Sequence, residues 1–311
     1  MPNMIQLVNQ IVIASEIVLF NIFGLFGNFN FIVLTVKKPQ LRCKSSYLQC
    51  ALCISHIICL LFELPNAILL FTGIQLRRNI CFPAISPYIF FICAQAMIML
   101  MLVIDIYIIV YFPSVYRILS NLKYTLIMLL PPIFYAGFTV TWGYVEMNDE
   151  LVIFCNPPIG LHPLVSRFWS LSNVIFNSVT LSLFIVLMII FHFRSRKQKK
   201  DTRKLMNRLR VSVIVFSLSW YMCTLGVDLF AAIGLQGDVL AFFQSNMVFF
   251  ALLCYTQPFY VCLWRSSEYR SAFIDLWSFI PCVNRLKVTK KWAVPTMMMS
   301  TVDSVTKTQN N

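Results

Sequence analysis

Five ionisable side chains lie inside long apolar blocks of this sequence, where each could do chemistry that an exposed copy would not: Glu16, His56, Glu63, Asp105 and Asp228. Burying a charge in an apolar medium is costly, so each is a candidate for function. His56 and Glu63 are seven residues apart, two helical turns on one face, and should look into the same interior. Glu63, beside Asn66, can pair with a cationic ligand or with Arg77. His56 is expected to be a neutral imidazole bonded to neighbouring helices, with proton or ion sensing as the alternative. Glu16 and Asp228 lie close enough to the ends of their blocks to reach water. Asp105 ends its block at the opposite edge.

Around these lies a mixed set of polar and aromatic residues able to line a pocket for a small organic ligand: Tyr88, Trp169, Asn173, Asn177, Trp220, Thr224 and Gln244. Taken singly, such Asn and Gln residues can also serve as interhelical hydrogen-bonding groups, and such aromatics as core or interface anchors. Catalytic signatures are missing. The sequence has no H-E-x-x-H, no clustered Cys/His set for metal, no G-x-S-x-G elbow and no phosphate-binding loop. Its three histidines, His56, His162 and His192, fall at different levels of different segments. No enzyme activity, cofactor or metal is expected.

The elements that position these residues follow from composition. The chain is 59% hydrophobic and only 12% charged, with mean hydropathy +0.76; a water-soluble domain carries about twice that charged fraction. About 20 apolar residues are needed to span a bilayer with every backbone polar group satisfied. Seven blocks meet that need, at about 10–36, 46–70, 86–111, 124–145, 167–193, 211–235 and 239–264. The first is too long for a signal-peptide core and should stay as a span. The expected fold is an all-α membrane protein, a seven-transmembrane helix bundle over residues 1–279 that ends in a short amphipathic eighth helix. A disordered cytoplasmic tail over 280–311 should follow.

Charge sets the direction. Of 25 Lys and Arg residues, 22 fall in alternate loops and the tail, nine of them within 194–210, while Arg77, Arg78 and Arg167 fall on the other side. Basic loops stay cytoplasmic, so the N-terminus is outside and the C-terminus inside. The net charge of +13 is then matched to anionic lipid rather than to nucleic acid. Cys81 and Cys155 are the two of eleven cysteines on the outer side, and a bond between them would pin the long loop over the bundle's mouth; the alternative is two free thiols. On the inner side, Tyr269, Phe273, Leu276 and Trp277 can share the apolar face of a helix lying along the membrane surface. Cys282 beyond it could be palmitoylated, and the tail carries phosphorylatable Ser and Thr residues.

Gly27-Asn28, Cys81, Asp105, Cys155 and Trp220, with separations of 28 from Asn28 to His56 and 24 from Cys81 to Asp105, resemble the framework of rhodopsin-like seven-helix receptors. More narrowly, Lys37-Lys38-Pro39-Gln40-Leu41-Arg42-Cys43-Lys44, Leu61-Phe62-Glu63-Leu64, Cys155-Asn156-Pro157-Pro158 and Ser267-Glu268-Tyr269-Arg270-Ser271-Ala272-Phe273 resemble nematode serpentine chemoreceptors of the Srsx class. The resemblance implies a plasma-membrane receptor of sensory neurons, in their cilia, that binds an odorant or pheromone and signals to a heterotrimeric G protein, with dimerisation left open. It places G-protein coupling at Asp105 and Tyr107; charge adds Arg117, Arg208 and Arg210. The departures are Ile106 in place of the family's Arg, His56 in place of its mid-bundle Asp, and altered sixth- and seventh-span motifs at Ser219-Trp220-Tyr221-Met222 and Gln257-Pro258-Phe259-Tyr260. The alternative function is a transporter or a ligand-gated channel subunit, against which the absence of visible inverted repeats weighs.

Overall fold

A computed structural model of the chain describes residues 4–72, 74–152, 155–194 and 200–281. In chain order the elements are α1 (Met4–Lys37), a 3-10 turn (Pro39–Leu41), α2 (Lys44–Thr72), β1 (Leu76–Arg77), α3 (Arg78–Tyr111), α4 (Pro113–Ile118) and α5 (Asn121–Val145). There follow β2 (Leu151–Val152), α6 (Pro157–Gly160), α7 (Pro163–Arg194), α8 (Lys200–Ala232), α9 (Gly237–Asn246), α10 (Val248–Arg265) and α11 (Ser267–Leu276). Among the described residues, five helices are long and apolar enough to cross a membrane: Leu7–Lys37, Lys44–Leu69, Arg78–Tyr111, Asn121–Val145 and Pro163–Phe193. The sixth apolar block falls on α8, whose first half is basic and which carries an apolar stretch over Leu209–Cys223 among the described residues.

The seventh block, expected as one helix over 239–264, is two helices. Asn246 Nδ2 is 2.7 Å from the Phe242 carbonyl and 2.7 Å from Asn9 Oδ1 on α1, and Ser245 Oγ donates to Phe242 O at 2.9 Å. These local bonds compete with the helical ladder, and regular helix resumes at Val248. The third helix starts eight residues before the predicted 86, because the β1–β2 ribbon leads directly into it. Pro83 and Pro87 are the sixth and tenth residues of α3, where each removes one intrahelical N–H bond.

α3 is the axial helix. Its Cys81, Phe82, Ile89, Cys93, Met99 and Val103 are fully or nearly fully buried in the main apolar core. The flanking helices instead expose large apolar side chains outward, such as Ile22 and Phe29 on α1, Leu130 and Phe134 on α5, and Leu171 and Ile175 on α7. An apolar outer face over a packed interior is the distribution expected of a bundle solvated by lipid. α3 also packs closely on α5: a Cβ at Gly143 would collide with the Phe82 ring.

A second core closes the opposite end, where Tyr269 and Ala272 of α11 pack with Phe31, Leu34, Leu41, Cys53 and Phe259. Tyr269 stacks on Phe31 with ring centroids 5.0 Å apart and donates to Ser46 Oγ at 3.2 Å. Trp277 Nε1 donates to Asn30 Oδ1 at 2.7 Å. The apolar face of α11 is seated on α1 and α2, because its aromatics find both stacking and hydrogen-bond partners there. Cys282 and the tail over 282–311 lie outside the described residues.

Candidate functional site

Cys81, in the first turn of α3, is bonded to Cys155, with Cα atoms 5.6 Å apart. The bond draws the segment after α5 across the end of the bundle, where Leu76–Arg77 pairs antiparallel with Leu151–Val152. Two ion pairs flank the ribbon: Arg77 Nη1 to Asp149 Oδ2 at 2.5 Å and Arg78 Nη1 to Glu150 Oε2 at 2.6 Å. Arg78 also donates to Asn148 Oδ1, and Asn79 to Asp149 Oδ1. Hydrogen bonds from Arg78 and Asn148, with the guanidinium charge, hold the Glu150 carboxyl below its ordinary value of 4.5. Arg77 is therefore engaged with Asp149, and of the two alternatives for Glu63 the pairing with Arg77 is not made. Ribbon register sets this choice, since antiparallel pairing brings the two loop segments together above the bundle.

Glu63 lies about 10 Å further in, two turns along from the disulfide level, as Tyr88 is seven residues beyond Cys81. The Tyr88 hydroxyl donates to Glu63 Oε1, and Asn66 Nδ2 to Oε2 at 3.4 Å. All three side chains are buried, and Phe62 stacks on the Tyr88 ring at 6.0 Å. Among the described residues Glu63 has no cationic partner. Tyr255 of α10 is the nearby element that sequence reasoning missed. Its ring lies 5.7 Å from His56 and 6.5 Å from Trp220, its phenol faces Glu63 and Tyr88, and its carbonyl accepts from Asn28 at 2.8 Å.

The remaining expected site residues are distributed as follows. Asn173 Nδ2 donates to Trp169 O at 2.7 Å within α7, and Asn177 Nδ2 to Ser217 O of α8 at 3.3 Å. Trp220 is buried and stacks on Phe216. The side chains of Thr224, Asp228 and Gln244 lie outside the described residues. His56 is fully buried, yet neither ring nitrogen has a protein hydrogen-bond partner, contrary to the expected bonding to neighbouring helices. The neighbour it does meet is the Tyr255 ring. Gln95 is in the same position, fully buried with both amide atoms unpartnered. A polar residue seven positions after Tyr88, in an otherwise apolar block, was the signal that could have found it.

At the other end, Asp105 is fully buried two turns before α3 ends. Ser45 Oγ donates to its Oδ2 and Tyr124 to its Oδ1 at 2.7 Å, and Lys44 donates to Tyr116 O while lying 4.2 Å over the Tyr116 ring. The ends of α2, α3 and α5 are thereby joined through one carboxylate, and Lys44 ties α4 to α2. Ser45, Tyr124 and Lys44 were not anticipated, because their roles depend on how separate helices end side by side. Ile106 is buried, and the Tyr107 hydroxyl donates to Leu183 O of α7 at 2.7 Å. Arg117 is exposed on α4, Arg210 is half-buried on α8, and the Arg208 side chain lies outside the described residues.

No group of three or more metal-ligating side chains occurs among the described residues. The arrangement is an enclosed, polar-centred helix bundle with a bonded cover at one end. The sequence profile of the serpentine type 7TM GPCR chemoreceptor Srsx family matches residues 21–277, which takes in everything from the middle of α1 to the end of α11. No curated protein matches the chain. With that match over most of its length, and with the bundle and the Cys81–Cys155 bond in place, the chain belongs to the Srsx family of serpentine seven-transmembrane chemoreceptors.

Proposed function

We propose that this multi-pass membrane chemoreceptor binds an extracellular small molecule between its helices and passes the signal to a heterotrimeric G protein at the plasma membrane. The observation that carries the reading is Glu63, a buried carboxylate about 10 Å beneath a disulfide-pinned cover and held by neutral donors alone among the described residues. A cationic or donor group on a ligand would gain most at such a position, since a charge-assisted bond in a low-dielectric interior is about twice as strong as a neutral one. In this reading α8 and the α9–α10 pair supply the sixth and seventh spans, and the disulfide end faces the oxidising exterior. α11 lies along the inner membrane surface.

Binding shifts the population toward a second arrangement of the helices only as far as the ligand prefers that arrangement. Asp105 and Tyr107 are where the shift would register, since they join α3 to α2, α5 and α7. Arg117, Arg208 and Arg210 then meet the acidic surface of the G protein, where charge steers encounter. The test is expression in heterologous cells with a panel of volatile amines, alcohols, ketones and acids. A receptor changes second-messenger levels without moving the compound, whereas compound flux that persists after G-protein removal identifies a transporter and overturns the reading.

A further inference from the structure

The register of the helices brings several buried polar groups within about 10 Å of depth along the bundle, and each keeps a polar atom without a protein partner. Glu63 and Tyr88 are bonded, and α2 and α3 run antiparallel, so His56 and Gln95, each seven residues further in, share a depth about 10 Å beneath that pair. α3 and α7 run parallel with Tyr107 level with Leu183, so Gln95, twelve residues above Tyr107, is level with the turn of α7 around residue 171. Asn173 lies on that turn, and Asn177 one turn deeper, level with Ser217 of α8. His56, Gln95, Asn173, Asn177 and Ser217 are all buried, and each has at least one polar atom with no protein partner.

The two asparagines fix the polarity of this layer. Each has committed its amide nitrogen to a backbone carbonyl, Trp169 O at 2.7 Å and Ser217 O at 3.3 Å, and reversing either amide would oppose two carbonyl oxygens. In both, Oδ1 is the atom left unpartnered. The α7 face of the layer therefore offers acceptors, while His56 and Gln95 can adapt to either role. Above it, Glu63 also accepts. Buried acceptors reject a group that cannot donate, because they would then stay unpaired.

We infer that the Asn173–Asn177 face of α7 is the seat of a hydrogen-bond-donating group, so that ligands of this receptor are small amphiphiles bearing a hydroxyl or an amine N–H that reaches the mid-bundle layer. The apolar remainder of the ligand packs against Trp220, Phe216 and Tyr255. The inference rests on the reading that small molecules bind between the helices.

The test uses the full-length receptor purified into lipid discs, with thermal melting followed in straight-chain alcohols and primary amines of six to ten carbons and in the methyl ethers and alkanes of matched length. Asn173→Leu and Asn177→Leu keep side-chain volume and remove the acceptors. The expected result is stabilisation by at least one alcohol or amine but not by its ether, with a midpoint at least tenfold higher in either variant. Unliganded Asn173→Leu should melt at or above the wild-type temperature, since its amide nitrogen bonds within α7, whereas Asn177→Leu also loses the bond to Ser217 O of α8. A lower melting temperature of unliganded Asn173→Leu shows an interhelical role for that amide and overturns the inference. Equal action of ethers and alcohols overturns the donor requirement while leaving a ligand pocket in place. No stabilisation by any donor overturns the inference and leaves water as the partner of these atoms, and the cell-based signalling assay then decides separately whether the chain is a receptor.

Discussion

The Tyr88 hydroxyl donates to the Glu63 carboxylate across the interface of α3 and α2, and the stacking of Phe62 on the Tyr88 ring holds the phenol there. Removing the hydroxyl leaves a buried carboxylate with Asn66 alone, at 3.4 Å. Tyr88→Phe should therefore destabilise the receptor by about 1–3 kcal/mol, the usual cost of stripping a partner from a buried polar group. Glu63→Gln in the same background should recover part of that loss. Melting temperatures of the two single variants and the double variant check this; strictly additive effects would contradict it.

Cys81→Ser opens a closed loop spanning 74 residues of sequence. Chain entropy sets an upper figure of about 4.4 kcal/mol for such a loop. The measured loss should fall below that, because α5, within the loop, stays helical in the bilayer when the cover is released. Melting with and without reductant should reproduce the loss in the wild type and show no reductant effect in the variant.

The cover should loosen in acid. The Glu150 carboxyl is held below its ordinary value by Arg78 and Asn148, so its contribution is complete above about pH 4.5 and disappears as pH falls through the lowered value. Stability measured downward from pH 5 should decline more steeply in the wild type than in Glu150→Gln. Parallel curves would show that this contact, exposed on the Glu150 side, contributes nothing measurable.

At the other end, Asp105→Ala leaves the Ser45 and Tyr124 hydroxyls without their shared acceptor. If this cluster favours the resting arrangement, ligand-independent signalling should rise, by about fivefold for each 1 kcal/mol of preference lost. Nucleotide exchange on purified G protein measures it; an unchanged basal rate at equal receptor level would assign Asp105 to structure alone.

What was legible in the sequence was whatever depends on local pattern. Length and apolarity revealed the helical blocks, and the sidedness of Cys81 and Cys155 revealed the disulfide, because compartment restricts which thiols can pair. The seven-residue spacing of His56 and Glu63 gave a shared face. Partners were not legible where a loop or a helix end decides them. Arg77 turned to Asp149 because two residues of strand pairing set the loop register. Tyr269 of α11 and Trp277 just beyond it met Phe31 and Asn30 because the turn at Ser266 directs α11 back onto α1. The break before Val248 required Asn9, more than 230 residues away, to bond Ser245 and Asn246.

The most direct measurement is G-protein activation by purified receptor in lipid discs, titrated with whichever panel amine or alcohol activates the wild type, beside Glu63→Gln at equal receptor level. The account predicts that cationic agonists lose at least tenfold in potency in the variant while receptor stability changes little. Identical titration curves for cationic agonists in the two proteins would contradict it.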